Sequence, residues 1–337
     1  MNVAVLAMGS WGTALSKVLA ENGHQVSAWA RDPELIAALR RDHENKKYLP
    51  GVALPATIEF MTDRAKALRG AEVAVLAIPT QQLRRVYQDM VEAGEIDPSV
   101  ILVNVSKGLE MQTGRTISQI VHEMTPHARF CCLSGPSHAE EVGKCFPTAV
   151  VAAAEDLEIA KTIQDLFSNS YFRVYTNDDV VGVEISGALK NIIALAAGIV
   201  DGLGFGDNAK AALITRGIHE ITKLGLEMGA RRETFAGLAG VGDLIVTCMS
   251  MHSRNRRAGI LIGSGKTLDE SVRSIGMVVE GAYTCKAVND ILSAYDVEMP
   301  ITRELYRVLY EGRNAADALA ELMRRDKKHE TDCAPKA

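Results

Sequence analysis

The run 184–201, EISGALKNIIALAAGIVD, is apolar or small-sided almost throughout, and its one ionisable side chain between the terminal acids is Lys190. It lacks proline and closes at Gly202, so it predicts a helix enclosed by protein. At helical spacing Lys190 shares a face with Val183, Gly187 and Ala194, and the last two leave room for another group to lie against the lysine. An ammonium in apolar surroundings loses solvation, so its pKa falls toward the range a proton donor or acceptor needs. The plainer alternative is a lysine snorkelling from a core helix. The run reads as too short, and too interrupted by charge, to span a membrane.

At 337 residues the chain predicts two domains, because single cores seldom grow past about 250–300 residues. Hydrophobic content of 47% and charged content of 23% are ordinary for a globular enzyme. The net charge of −5 argues against a general nucleic-acid binder. Six cysteines form no CxxC pair and no zinc-ligand spacing, so the reading is reduced thiols, a cytoplasmic setting and no metal. The first apolar run leads straight into a glycine turn, unlike a signal peptide.

In chain order, residues 3–6 read as a strand and 13–21 as a helix, with AMGSWG between them. That turn is similar to the dinucleotide fingerprint GxGxxG, with Ala7 in place of the first glycine. Gly9 would admit a pyrophosphate, Gly12 would let the helix pack closely, and the start of that helix supplies free N–H groups that favour anions. The strand 25–30 ends at Arg31, which suits a 2′-phosphate and so NADPH, with NADH also possible. Asp32 reads better as the cap of a following helix, with Pro33 and Glu34 behind it. Residues 45–55 read as a loop. Further strands are expected at 57–61, 72–78, 100–103, 130–133, 148–153 and 172–176, with helices at 81–92 and 157–167. Lys107 follows one strand and Gly135, Ser137 and His138 another, at the strand ends where open α/β sheets place ligands. For Lys107 the alternative is a solvated loop lysine.

From Asp178 the strand pattern stops, and the rest reads as helices. The expectation is an α/β domain over 1–180, an all-α domain over 181–330 and a tail over 331–337. The segment 263–267 imitates a phosphate-binding P-loop, but Ile260 stands where a glycine is required and no strand precedes it. In 237–247, GLAGVGDLIVT, Asp243 either orients Lys190 or caps a helix. Ser253, Arg254 and Asn255 open a helix with a hydroxyl, a guanidinium and an amide, an anion site suited to a phosphorylated substrate. Val278 and Glu280 lie in another crevice loop.

Together GSWGTAL, HENKKYLPGVALP, SKGLE, LSGPSHAEEV, GALKNIIALAAGI, GLAGVGDLIVTC, SRNRR and VVEG resemble the bacterial-type NAD(P)-dependent glycerol-3-phosphate dehydrogenases over nearly the whole chain. The resemblance implies a Rossmann domain followed by a helical domain like that of 6-phosphogluconate dehydrogenase. It implies interconversion of dihydroxyacetone phosphate and sn-glycerol 3-phosphate in the cytoplasm, a homodimer and supply of glycerophospholipid synthesis. By motif, Lys190 matches the family's proton acceptor and Lys107 its second active-site lysine. Asp243 and Asn191 join them, Asn191 with Lys107 stabilising the developing charge. Gly135, Ser137, Asp243, Ser253, Arg254 and Asn255 match substrate positions, together with Lys107 and Lys190. Ser10, Trp11, Arg31, Lys107, Ala139, Arg254, Val278 and Glu280 match nucleotide contacts. Ala7 departs from the family's glycine, and Cys145 stands where glycine is usual. A related hydroxy-acid reductase and a silent NADPH sensor are the rival readings.

Overall fold

The computed structural model describes residues 1–327, 329 and 330; the expected tail 331–337 lies outside the described residues. The sheet half runs β1 (Asn2–Leu6), α1 (Ser10–Glu21), β2 (Gln25–Trp29), α2 (Pro33–Asp42), β3 (Glu44–Asn45), β4 (Leu49–Ala53) and β5 (Glu59–Met61). It continues α3 (Arg64–Leu68), β6 (Val73–Leu76), α4 (Thr80–Glu92), β7 (Ile101–Asn104), α5 (Ile117–Met124) and β8 (Arg129–Ser134). It ends α6 (Ala139–Gly143), β9 (Thr148–Ala153), α7 (Leu157–Phe167) and β10 (Phe172–Asn177).

Runs such as Val73–Leu76 are apolar at every position because the central strands are covered on both faces. Alternate residues serve opposite cores: Val3, Val5, Val73 and Val75 face one cluster, and Ala4, Leu6, Ala74 and Leu76 the other. The sheet order is β10-β9-β8-β7-β6-β1-β2-β5, parallel except where β9 pairs antiparallel with β8. The chain turns back between β1 and β6, and the crevice outside their carboxyl ends is where such sheets hold ligands.

The segment 45–55 is an ordered antiparallel hairpin, β3–β4, and not the expected loop. Its prolines concealed the strand, since proline fits only an edge. Helix α5 was also not anticipated, although a Thr116–Gln119 capping box opens it. Asp32 caps α2 as expected, accepting from the N–H groups of Glu34 and Leu35.

The remaining helices are α8 (Val180–Gly202), α9 (Asp207–Glu227), α10 (Arg232–Phe235), α11 (Asp243–Met249), α12 (Arg254–Gly263), α13 (Leu268–Ile275), α14 (Glu280–Ile291), α15 (Pro300–Tyr310) and α16 (Ala315–Arg324). Helix α8 is the axis of this half, and a single apolar cluster surrounds it. By length and composition its 23 residues do suffice for a membrane span, contrary to the reading above; its most apolar window is instead wholly buried inside the protein. Asp179 caps α8 through the N–H of Gly182 at 2.8 Å. Glu184 ties α8 to the sheet half, accepting from the Ser118 N–H at 3.0 Å and hydroxyl at 2.5 Å.

Helices α8 and α12 cross at backbone contact. A Cβ on Gly198 would stand 2.0 Å from the carbonyl oxygen of Arg256, and one on Gly259 2.1 Å from that of Leu195. Replacing Gly259 by alanine should therefore lower stability by about 1–3 kcal/mol, because the overpacking exceeds the roughly 1 kcal/mol that alanine adds to an isolated helix. A urea-unfolding midpoint that stays put or rises in Gly259→Ala would show that the crossing is loose.

Candidate active site

At the carboxyl end of β1, Ala7 adopts φ of +83°, the left-handed region that glycine ordinarily occupies. The turn geometry is thus kept despite the substitution. It is tight: a Cβ on Gly12 would lie 2.1 Å from the Ala7 carbonyl oxygen. Gly9 has open space on its side-chain side, and α1 begins there without a side-chain cap. Free first-turn N–H groups facing open space fit a pyrophosphate. The hairpin holds this turn: Asn45 donates to the Met8 carbonyl at 2.9 Å and to Thr13 Oγ1 at 2.7 Å, and Ser10 donates to the Tyr48 carbonyl at 2.5 Å. Trp11 packs on Phe172 with 6.4 Å between ring centroids. Arg31 is exposed at the end of β2.

Further along the crevice stands a buried ionic triad. Lys190 is only 6% exposed, but it is not unpaired. Its ammonium donates to Asp243 Oδ1 at 2.5 Å and to Thr247 Oγ1 at 2.7 Å. Lys107 donates to the other Asp243 oxygen at 2.7 Å and to the Gly135 carbonyl at 2.9 Å. Gly187 makes the room, since a Cβ there would meet Ser134 Oγ at 2.9 Å and Lys107 Cγ at 3.5 Å. Burial pushes the Lys190 pKa down to about 8, with Asp243 opposing and Lys107 adding to the shift. Asp243 is buried too, yet the two lysines outweigh that burial and hold it below the usual carboxylate range. It is the first residue of α11 and not its cap, which leaves its side chain for the lysines.

A second set of bonds braces this triad. Asn191 donates to the Lys107 carbonyl at 3.1 Å and accepts from Asn255 at 2.9 Å; Asn255 in turn accepts from the Gly281 N–H at 2.8 Å. Both amides are therefore largely engaged within the protein. The Ser253 hydroxyl caps α12, accepting from the Arg256 N–H at 3.2 Å. Among the described residues Arg254 has no hydrogen-bond partner. It is exposed, yet the crevice walls strip enough water from its guanidinium to lower its pKa, with Glu280 and Glu140 opposing. Ser137 donates to the Gly135 carbonyl at 2.8 Å, and Ala139 opens α6 beside it. Val278 is exposed at the crevice loop.

Glu280 reaches across to the start of α4. Burial raises its pKa to about 7, against the Thr80 N–H and the charge of Arg254. Its Oε2 and the Thr80 hydroxyl are buried without partners. No group of three or more metal-ligating side chains exists among the described residues.

The sequence alone singles out neither Thr247 nor Asn45, and it places His138 in a site loop without a role. Thr247 was findable, because it lies one helical turn beyond Asp243 and so on its face. His138 lies against Val246, and burial together with the charge of Lys190 lowers its pKa. No local pattern announces that contact.

Comparison with known proteins decides the family. The profile described as NAD-dependent glycerol-3-phosphate dehydrogenase N-terminus matches residues 2–160, and the corresponding C-terminus profile matches 179–320. The chain belongs to the NAD-dependent glycerol-3-phosphate dehydrogenase family. It is 52% identical to the glycerol-3-phosphate dehydrogenase (NAD(P)+) of Bacillus cereus over 99% of this chain and 98% of that one. The relative from Bacillus mycoides is also 52% identical, with the same coverage. Among solved structures, glycerol-3-phosphate dehydrogenase from Coxiella burnetii superposes with a TM-score of 0.92 at 36% identity, covering 96% of this chain and 98% of that one. The Saccharomyces cerevisiae enzyme gives 0.80 at 29% identity, with 96% and 99% covered. The Rossmann sheet and helical second half are thus the architecture of this dehydrogenase family.

The dinucleotide fingerprint has glycine where this chain has Ala7. Ala7→Gly should stabilise the fold by up to about 1 kcal/mol, the strain of a left-handed alanine exceeding the extra chain entropy of glycine. Equilibrium unfolding in urea measures it; a lower midpoint for the glycine variant would mean that the Ala7 methyl packs productively.

Proposed function

We propose that the chain reduces dihydroxyacetone phosphate to sn-glycerol 3-phosphate reversibly with NAD(P)H, and that it favours NADPH. The observation that carries the mechanism is a buried carboxylate shared by two lysines, Lys107 partly buried and Lys190 buried with its pKa near 8. When bound, the dinucleotide supplies the hydride. Lys190 has three ammonium hydrogens; Asp243 and Thr247 take two, and the third is left for the substrate oxygen. Transfer of that proton quenches the developing alkoxide and leaves a neutral amine, which a buried lysine tolerates. In the oxidative direction the neutral amine is the base. Lys107, with one hydrogen likewise uncommitted to Asp243 or Gly135, stabilises the developing charge. Asn191 does not share that task, as first expected, because its amide is engaged with Lys107, Gly187 and Asn255. Its role is to hold the Lys107 loop against α8.

The substrate phosphate is assigned to the Arg254 guanidinium and the free N–H groups of Arg254 and Asn255 at the start of α12. Gly135 and Ser137 border the carbon skeleton. The product is the backbone of glycerophospholipids, and we place the activity in their supply, in the cytoplasm, as a homodimer. Light scattering on the purified protein tests the dimer.

Lys190→Met should lose about 10²–10⁴-fold in turnover while still binding NADPH. Retention of more than about a tenth of wild-type turnover would remove Lys190 as the acid and base. Reduction needs the ammonium, so its rate should fall as pH rises through about 8; oxidation needs the amine and should rise over the same window. Lys107→Met removes a like charge and should move that midpoint up; Asp243→Asn removes the counter-charge and should move it down. pH profiles of kcat/KM read both shifts, and displacement in the same direction would refute the electrostatic account. Arg254→Ala should weaken dihydroxyacetone phosphate far more than unphosphorylated dihydroxyacetone; equal losses would undo the phosphate assignment.

A further inference from the structure

The hairpin β3–β4 places a cation, Lys47, against Asp32, the residue that follows Arg31. Its turn is bolted to the pyrophosphate turn by Asn45 and by the Ser10–Tyr48 bond, and the Tyr48 N–H donates back to Asn45 Oδ1 at 3.1 Å. Lys47 is therefore carried on a rigid support, although its own side chain is 59% exposed. Its ammonium stands 3.8 Å from Asp32 Oδ2, next along the chain from Arg31, and 5.1 Å from the centre of the Tyr48 ring. Lys46, by contrast, turns away to Asp42 at 2.9 Å.

This end of β2 is where a Rossmann sheet meets the adenosine ribose. An NAD-type site needs a free acid there for the ribose 2′-hydroxyl. Asp32 is the acid at hand, but one of its oxygens caps α2 and the other faces Lys47. Arg31 has no hydrogen-bond or ion-pair partner among the described residues. The local field offers a 2′-hydroxyl little and a 2′-phosphate two cations. The Lys47–Asp32 contact is long and exposed, and such pairs contribute little, so a phosphate can take the lysine from it.

We propose that Lys47 and Arg31 together form the 2′-phosphate pocket, making Lys47 a residue that sets the preference for NADPH over NADH. The inference rests on the reading of Arg31 given above and deepens it. Calorimetric titration of the intact protein with adenosine 2′,5′-bisphosphate and with 5′-AMP isolates the 2′-phosphate without any turnover. Wild type should bind the bisphosphate at least about tenfold tighter, since a charged hydrogen bond contributes on that order. Lys47→Gln should cut that ratio about five- to tenfold with 5′-AMP affinity unchanged, and Lys46→Gln should leave the ratio as it is. The same loss should appear in KM for NADPH but not for NADH, with kcat retained. A Lys47→Gln protein that keeps the ratio, while Arg31→Ala collapses it, overturns the role of Lys47 alone. Equal binding of both nucleotides by wild type overturns the Arg31 reading and this inference together; turnover with NADH would show that the reductase reading survives.

Discussion

The carboxylate of Asp243 is the point on which this site depends. It is buried, and its two oxygens face ammonium groups from two different parts of the chain, one from the loop after β7 and one from the middle of α8. Neither lysine could be placed so deep without it, because an unpaired buried charge costs several kcal/mol. The arrangement keeps one net positive charge, which suits a site for anions. It also sets the tuning of Lys190: burial lowers its pKa, the shared carboxylate limits the fall, and the result sits near 8. Without Lys107 the midpoint would lie higher, and without Asp243 it would lie lower.

Much of this was legible in the sequence because it follows from local pattern. A run with no polar face must be enclosed, and α8 is. Apolar runs of strand length separated by helical periodicity build a parallel sheet, and the strand ends then collect Lys107 and Gly135 without any tertiary information. The proposed partnership of Asp243 with Lys190 was readable as one of two options, and the structure chooses it over capping because Gly242 takes the cap position. What was not legible is the bracing. The bond between Asn191 and Asn255 joins residues 64 apart in sequence, and no period encodes it. The hairpin β3–β4 hid behind prolines, and the order it brings comes from one buried asparagine reaching the turn below it.

The two halves of the crevice solve placement differently. At the nucleotide end, position is fixed by backbone: a left-handed residue, an uncapped helix start and a hairpin pinned above them. At the proton-transfer end, it is fixed by side chains that bond one another across segments. Backbone geometry tolerates substitution only where dihedral angles allow, as Ala7 shows by accepting a strained conformation rather than altering the turn. Side-chain networks tolerate substitution only where the hydrogen-bond count closes, which is why Asn191, with its groups already engaged, is better placed as a brace than as a participant.

The glycine crossing of α8 and α12 links these arguments. The proposed proton transfer would require Lys190 to be placed to within a fraction of an ångström, since small misplacements cost large factors in rate. Helix α8 carries Lys190 and α12 carries Arg254, so the separation of those helices governs how the proposed proton donor and phosphate anchor are spaced. At Gly198 and Gly259 that separation is set by backbone touching backbone, with no side chain to repack. Side-chain interfaces can slide and refill; a contact between main chains cannot close further. The same pair of helices is tied again by Arg256, which bonds Asp201 at 2.8 Å near the end of α8. On the proposed assignments, a substrate with a fixed span between phosphate and carbonyl would be measured against a fixed span in the protein, and an analogue longer or shorter by one carbon would bring its carbonyl out of reach of the lysine.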